Sequence, residues 1–179
     1  MRATAVHVRR LIASAVCLAL AMVLPLLTGQ LEQLGSALCP MHIPVILCGF
    51  ICGWPWGLAV GFIAPLLRFL IFGMPVIFPK GVAMAFELAA YGALAGLLYS
   101  RLPKKTSCLY GALIAAMVGG RALWGLVQYL LAGLQDTAFP LSAFLAGAVT
   151  NAIPGIILQL ILIPLLVLAL KKAGIHYNE

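Results

Sequence analysis

Gly57-Leu58-Ala59-Val60-Gly61-Phe62-Ile63-Ala64-Pro65-Leu66-Leu67-Arg68-Phe69-Leu70-Ile71-Phe72-Gly73-Met74, residues 57–74, is an apolar run with a single charge in it. As a helix it would reach about 27 Å, close to the roughly 30 Å of a bilayer's hydrocarbon core. The strict alternation expected of barrel strands is missing, and Pro65 inside the run points to a helix whose freed backbone groups are satisfied by neighbours. A membrane-spanning helix is the reading that fits, and the surrounding chain repeats it.

Outward from this stretch, apolar segments over about 10–28, 41–54, 81–100, 108–133 and 141–170 complete six expected spans in one membrane domain, 1–179. The composition agrees: 64% hydrophobic residues, 8% charged and a mean hydropathy of +1.15 exceed what a soluble core needs. The fold class expected is an all-α integral membrane bundle. The segment 41–54 is short, reaching only about 21 Å over its apolar part, so it needs tilt, a broken start around Cys39-Pro40-Met41, or local thinning of the bilayer.

Orientation follows from the basic residues. Arg2, Arg9 and Arg10 precede the first span, Arg101, Lys104 and Lys105 follow the fourth, and Lys171 and Lys172 follow the sixth. Six spans bring all three clusters to one side, and the opposite loops hold Lys80 with Glu32 and Asp136, so the positive-inside rule puts both termini in the cytoplasm. The net charge of +7 is then topological, and nucleic acid is not an expected partner. The basic start followed by Leu11 to Leu27 has the outline of a secretory signal. The length of the run and the lack of a clear small-residue cleavage site before Gln30 favour a retained first helix.

Few charges fall at membrane depth: Arg68, Glu87 and Arg121 inside apolar runs, and Lys80 at the edge of one. Such groups are costly and default to a functional-site hypothesis. Measured from the expected outer helix ends, Arg68 and Glu87 lie about 9 Å deep, Gln128 about 8 Å, Trp124 about 14 Å and Asn151 about 15 Å. With Tyr91 and Tyr129 these make a mostly apolar pocket with a few orienting polar groups. Each has a plainer reading. Arg68 and Glu87 would also neutralise one another as an interhelical ion pair. Arg121, near mid-membrane after Gly119-Gly120, would equally hold helix ends or carbonyls. Asn151 and Gln159 would serve as interhelical hydrogen-bond glue. His42, between two prolines at the mouth of the second span, suits a helix-end hydrogen bond as well as a ligand. Trp54 and Trp56 fit an interfacial anchor on the cytoplasmic side.

The chain holds no Gly-rich phosphate loop ending in Lys-Ser/Thr, no His-Glu-x-x-His and no Gly-x-Ser-x-Gly. It is not expected to be an enzyme, and with four acids it lacks the proton-relay series of a self-sufficient pump. Cys48 and Cys52 share a helical face, but no thiol or imidazole partner is spaced to complete a tetrahedral metal site, so no metal or cofactor is expected. Cys17, Cys39 and Cys108 read with them as small apolar packing. On the first helix Ala13, Cys17 and Ala21, and separately Ala15 and Ala19, recur every four residues, in stripes that let another helix approach.

From Pro40 to Tyr99, the run Pro-Met-His-Ile-Pro-Val, then Gly49, Gly53-Trp54-Pro55-Trp56-Gly57-Leu58, Gly61 through Arg68, Phe72-Gly73-Met74-Pro75, Met84-Ala85-Phe86-Glu87-Leu88-Ala89 and Tyr91-Gly92 resembles the substrate-binding S components of energy-coupling-factor (ECF) vitamin transporters. The last two spans support the resemblance through length and placement. It implies a prokaryotic cytoplasmic-membrane protein that captures a vitamin or related metabolite outside and docks on a T component with two ATPases. Arg68, Glu87, Trp124, Gln128, Asn151, Tyr91 and His42 are then the candidate pocket. The resemblance also implies that the segment from Gln30 to His42, with Glu32, Gln33 and Ser36, closes over it as a lid, and that Ala15 and Ala19 form the docking face. A pocket-facing arginine leans toward a pantothenate-like acid; a free Glu87 would suit an amine such as a deazapurine precursor of queuosine. The competing classes are a self-contained secondary transporter or channel working through Glu87 and Arg121, and a membrane enzyme with an unrecognised site.

Overall fold

A computed structural model describes residues 2–28, 37–134, 140–148 and 152–175. Among them no strand occurs, and every regular element is a helix. Helix α1 covers Arg2–Val23 and tightens into a 3-10 turn over Leu24–Thr28, where Pro25 cannot continue the helical ladder. Its Ser14, Cys17 and Ala21 are buried, at the i, i+3, i+7 spacing of one helix face. Ala15 and Ala19 point the other way and are exposed, as are Leu11, Ile12, Val16 and Leu20.

Helix α2, His42–Cys52, has every residue buried. A helix apolar on all sides belongs inside a bundle, and here the short segment 41–54 is the axial piece of the molecule. It starts from the turn at Cys39, whose φ of +47° lies in the left-handed region that a non-glycine residue seldom takes. The His42 N–H closes this turn on the Cys39 carbonyl at 3.0 Å. Gly53, at φ +100°, makes the elbow to α3, Trp54–Phe72, a conformation closed to side-chain-bearing residues. Pro55 opens α3 and Gly73, in the left-handed region, caps it.

After a π-type turn over Ile77–Gly81, α4 runs from Val82 to Arg101 and packs against α2, α3 and α5. Three helices meet on glycine. A Cβ added to Gly57 would lie 2.6 Å from the Gly92 carbonyl oxygen and 2.8 Å from the Gly49 Cα; one added to Gly96 would lie 2.8 Å from the Gly49 carbonyl oxygen. Backbone therefore touches backbone across α2, α3 and α4, the closest approach that small residues permit.

Helix α5, Thr106–Leu134, is 29 residues long, about 43 Å. The run expected as one span over 141–170 is instead two helices, α6 over Leu141–Ala148 and α7 over Ile153–Lys172, with 149–151 outside the described residues. Pro154 accounts for the fresh start, because it fits the first turn of a helix and disfavours helix before it. By length and composition Val6–Leu26, Trp54–Phe72, Ile77–Arg101, Thr106–Leu134 and Ile153–Lys172 can each cross a membrane, whereas α2 is shorter.

Candidate functional site

Glu87 and Tyr91 lie one turn apart on α4 and are both buried. Glu87 meets two partners from different elements. Arg121 Nη1 of α5 sits 2.8 Å from Glu87 Oε1, and His42 Nε2, at the head of α2, donates to the same oxygen at 3.3 Å. Arg121 Nη2 reaches Cys39 Sγ at 3.3 Å, which ties the strained turn before α2 to α5. Burial pushes the Cys39 thiol up more than the guanidinium pulls it down, so the sulfur accepts as a neutral group. The Tyr91 ring stands edge-on to the His42 ring, with centroids 5.0 Å apart, and fills the space left by Gly120 on α5.

Two buried nitrogens of this cluster, His42 Nδ1 and Arg121 Nε, have no hydrogen-bond partner among the described residues. Buried polar atoms are almost always satisfied, so these mark the cluster as chemically incomplete. The ion pair itself is well shielded, with side-chain exposures of 15% for Arg121 and 3% for Glu87. Removing one member of such a pair strands a buried charge, which costs about 3–5 kcal/mol.

Arg68 takes no part in this. The expected alternative, an ion pair between Arg68 and Glu87, does not form; Arg68 Nη1 donates to the Met22 carbonyl at 2.9 Å, and its guanidinium lies over the Phe72 ring at 5.1 Å. The cause lies in α1. Within the 3-10 turn the natural donor to the Met22 carbonyl would be residue 25, and Pro25 has no N–H to give. Arg68 supplies the missing bond. Glu87 turns to Arg121, which depth counted from helix ends placed too deep, because that count sets the ends level while α5 runs well past the start of α4.

The remaining expected residues disperse or fall outside view. Trp124, one turn beyond Arg121 along α5, stacks on Phe144 of α6 with centroids 6.2 Å apart and planes 26° from parallel. Each ring presses on a glycine of the other helix, Phe144 on Gly125 and Trp124 on Gly147. Gln128 is half-buried a turn further along α5 and Tyr129 is exposed. Asn151 and the segment 29–36, including Gln30, Glu32, Gln33 and Ser36, lie outside the described residues, as does Asp136. Gln159 is buried on α7 with Oε1 unpartnered among the described residues, one turn beyond Gly155, which touches the Ala37 and Leu38 carbonyls. Trp54 is exposed at the foot of α3.

Sequence reasoning missed Cys39 and Phe144. Cys39 was grouped with the packing thiols; its neighbour Pro40 was the available hint of an unusual turn. For Phe144 the signal was the glycine at 125 facing an aromatic across a short loop, which no periodicity reports. Cys48, by contrast, does sit among packing groups, its thiol 3.5 Å from the Ser14 hydroxyl between α2 and α1.

Residues 9–167 match the family described as ECF transporter, substrate-specific component. No curated protein and no solved structure matches the chain. The match covers most of the sequence, so the chain belongs to that family: it is a multi-pass membrane protein and a substrate-binding subunit of an ECF transporter, not itself an enzyme. Its family implies a small-molecule substrate and partnership with a T component and ATPases.

Proposed function

We propose that the chain captures a water-soluble vitamin or a related precursor on the outer side of the prokaryotic cytoplasmic membrane and hands it to an energising module of one T component and two ATPases. The observation that carries this is the Glu87–Arg121–His42 cluster, a buried polar constellation with unpartnered atoms inside an otherwise apolar bundle. Polar groups so placed are expensive unless they act. In this reading Glu87, Arg121, His42, Tyr91, Trp124 and Gln128 line the pocket together with Asn151, and the segment from Gln30 to His42 closes over it. Arg68, engaged with the end of α1, braces the wall and does not read the ligand.

The topology proposed has six spans, α1 to α5 and α7, with α2 crossing as the short axial helix and α6 lying in the outer connection. It puts both termini, with Arg9, Arg10, Arg101, Lys104, Lys105, Lys171 and Lys172, on the cytoplasmic side. The exposed stripe of Ala15 and Ala19 on α1 is the docking face for the T component, a use that its outward direction supports.

Equilibrium binding to the purified protein tests the capture step. Glu87→Gln should weaken the bound solute at least tenfold, about 1.4 kcal/mol. Unchanged affinity would move the pocket elsewhere, and uphill transport by this chain alone in proteoliposomes would replace the reading with a self-contained transporter. An external thiol reagent applied to intact cells should miss a cysteine placed at 104; labelling there overturns the topology.

A further inference from the structure

We propose that the site takes a flat nitrogen heterocycle bearing an amino or amidine N–H edge, and not an aliphatic carboxylic acid. This rests on the capture reading above and narrows it to a chemical class.

The charge balance is the first argument. A carboxylate ligand needs a cation that is not already spoken for, and both intramembrane arginines are engaged. Arg68 is held by the Met22 carbonyl and the Phe72 ring, and Arg121 by Glu87 and Cys39. An incoming acid would also bring a second anion beside Glu87, and like charges in a low-dielectric site cannot both stay ionised without cost. A neutral or weakly basic ligand meets no such penalty.

The unused hydrogen-bonding capacity is the second. Glu87 takes its contacts with His42 and Arg121 on Oε1, two of the roughly four that a carboxylate can accept. Arg121 keeps its buried Nε–H as a donor, and His42 keeps Nδ1. An acceptor beside a donor is the complement of a ring edge on which N–H or NH2 adjoins a carbonyl or ring nitrogen, and a carboxylate receives such N–H groups strongly.

Rings provide the third. Tyr91 and His42 lie edge to face beside Glu87, and Trp124, half-buried and about 4.5 Å further along α5, extends the wall to Phe144. Aromatic faces next to a short hydrogen-bonding array favour a planar ligand that stacks and is read along one edge. An aliphatic chain would use neither.

The test is calorimetric titration of the purified full-length chain with 7-deazaguanine, pterin and thiamine, and with pantothenate and pantoate as aliphatic acids. Expected is binding of at least one ring probe and of neither acid. Against that probe Trp124→Ala should lose at least tenfold and Trp124→Phe less than about fivefold. Deleting the probe's amino group should weaken binding to the wild type and make no difference to Glu87→Gln, a coupling that a merely structural Glu87 would not produce. Thermal unfolding of each variant, recorded alongside, identifies a collapsed fold, and Trp124→Phe keeps the comparison alive if Trp124→Ala collapses. Binding of pantothenate or pantoate with no ring bound overturns the inference and leaves the capture reading standing. Binding of neither set overturns the inference; if the chain also fails to co-purify with ATPase subunits, the capture reading falls with it.

Discussion

The α2–α3–α4 half of the molecule and the α5–α6–α7 half are closed by different means. In the first, Gly49, Gly57 and Gly92 bring three backbones into contact with no side chain between them. In the second, contact runs through rings seated in glycine notches, Phe144 on Gly125 and Trp124 on Gly147. Backbone contact leaves no rotamer to adjust, whereas a ring can turn or shift. The Glu87 cluster sits on the seam, with Glu87 and His42 from the first half and Arg121 from the second. A site placed there has a fixed wall and an adjustable one, which suits a subunit that must take hold of a solute and later let go.

Substitutions ordered by their expected effect on the folded state can break or sharpen this contrast. Gly92→Val should act most severely, because its Cβ would run into the Gly57 backbone; overpacking against a carbonyl that cannot retreat should cost more than about 3 kcal/mol. The readout is the yield of monodisperse protein on size exclusion, and a normal yield would show that the glycine half yields more than its contacts imply.

Next comes the seam. Arg121→Met leaves Glu87 buried without its cation and should destabilise by about 3–5 kcal/mol, while Arg121→Met with Glu87→Leu should recover much of that loss. Thermal unfolding in detergent, compared across the two single variants and the double, measures the coupling. A loss in the double variant equal to the sum of the two single losses would mean that the pair is not coupled.

The ring half should respond least among buried sites. A double-mutant cycle on Trp124 and Phe144, each replaced by leucine, should give a coupling of about 0.5–1.5 kcal/mol, as expected for one aromatic pair. A value as large as that at the seam would erase the distinction between the halves. Ala15→Trp with Ala19→Trp stands at the end of the series: on the exposed face of α1 it should leave stability and ligand binding within a few-fold of wild type, yet abolish uptake in cells carrying the T component and ATPases. Poor binding by that variant would place those alanines inside the bundle.

Much of the arrangement was legible from residue types alone. Apolar length gave the membrane class, and the cost of burying charge singled out Glu87, Arg68 and Arg121. What could not be read was pairing. Glu87 chooses Arg121 over Arg68 because α5 overshoots α4 and because Pro25 leaves a carbonyl that claims Arg68, and neither fact is local to Glu87. His42 was placed at a helix mouth, but its meeting with Glu87, 45 residues away, depends on α2 being axial. The three glycines looked like ordinary small residues, since their convergence exists only once the helices cross.

That convergence also sets how the sequence can drift. A clash between side chains can be repaired by trimming the neighbour, so Trp124 with Gly147, or Phe144 with Gly125, can exchange bulk in paired steps. A clash with the Gly57 carbonyl offers no such partner, because every residue carries the same carbonyl. Any lineage that gains a side chain at position 92 must move a whole helix to keep it.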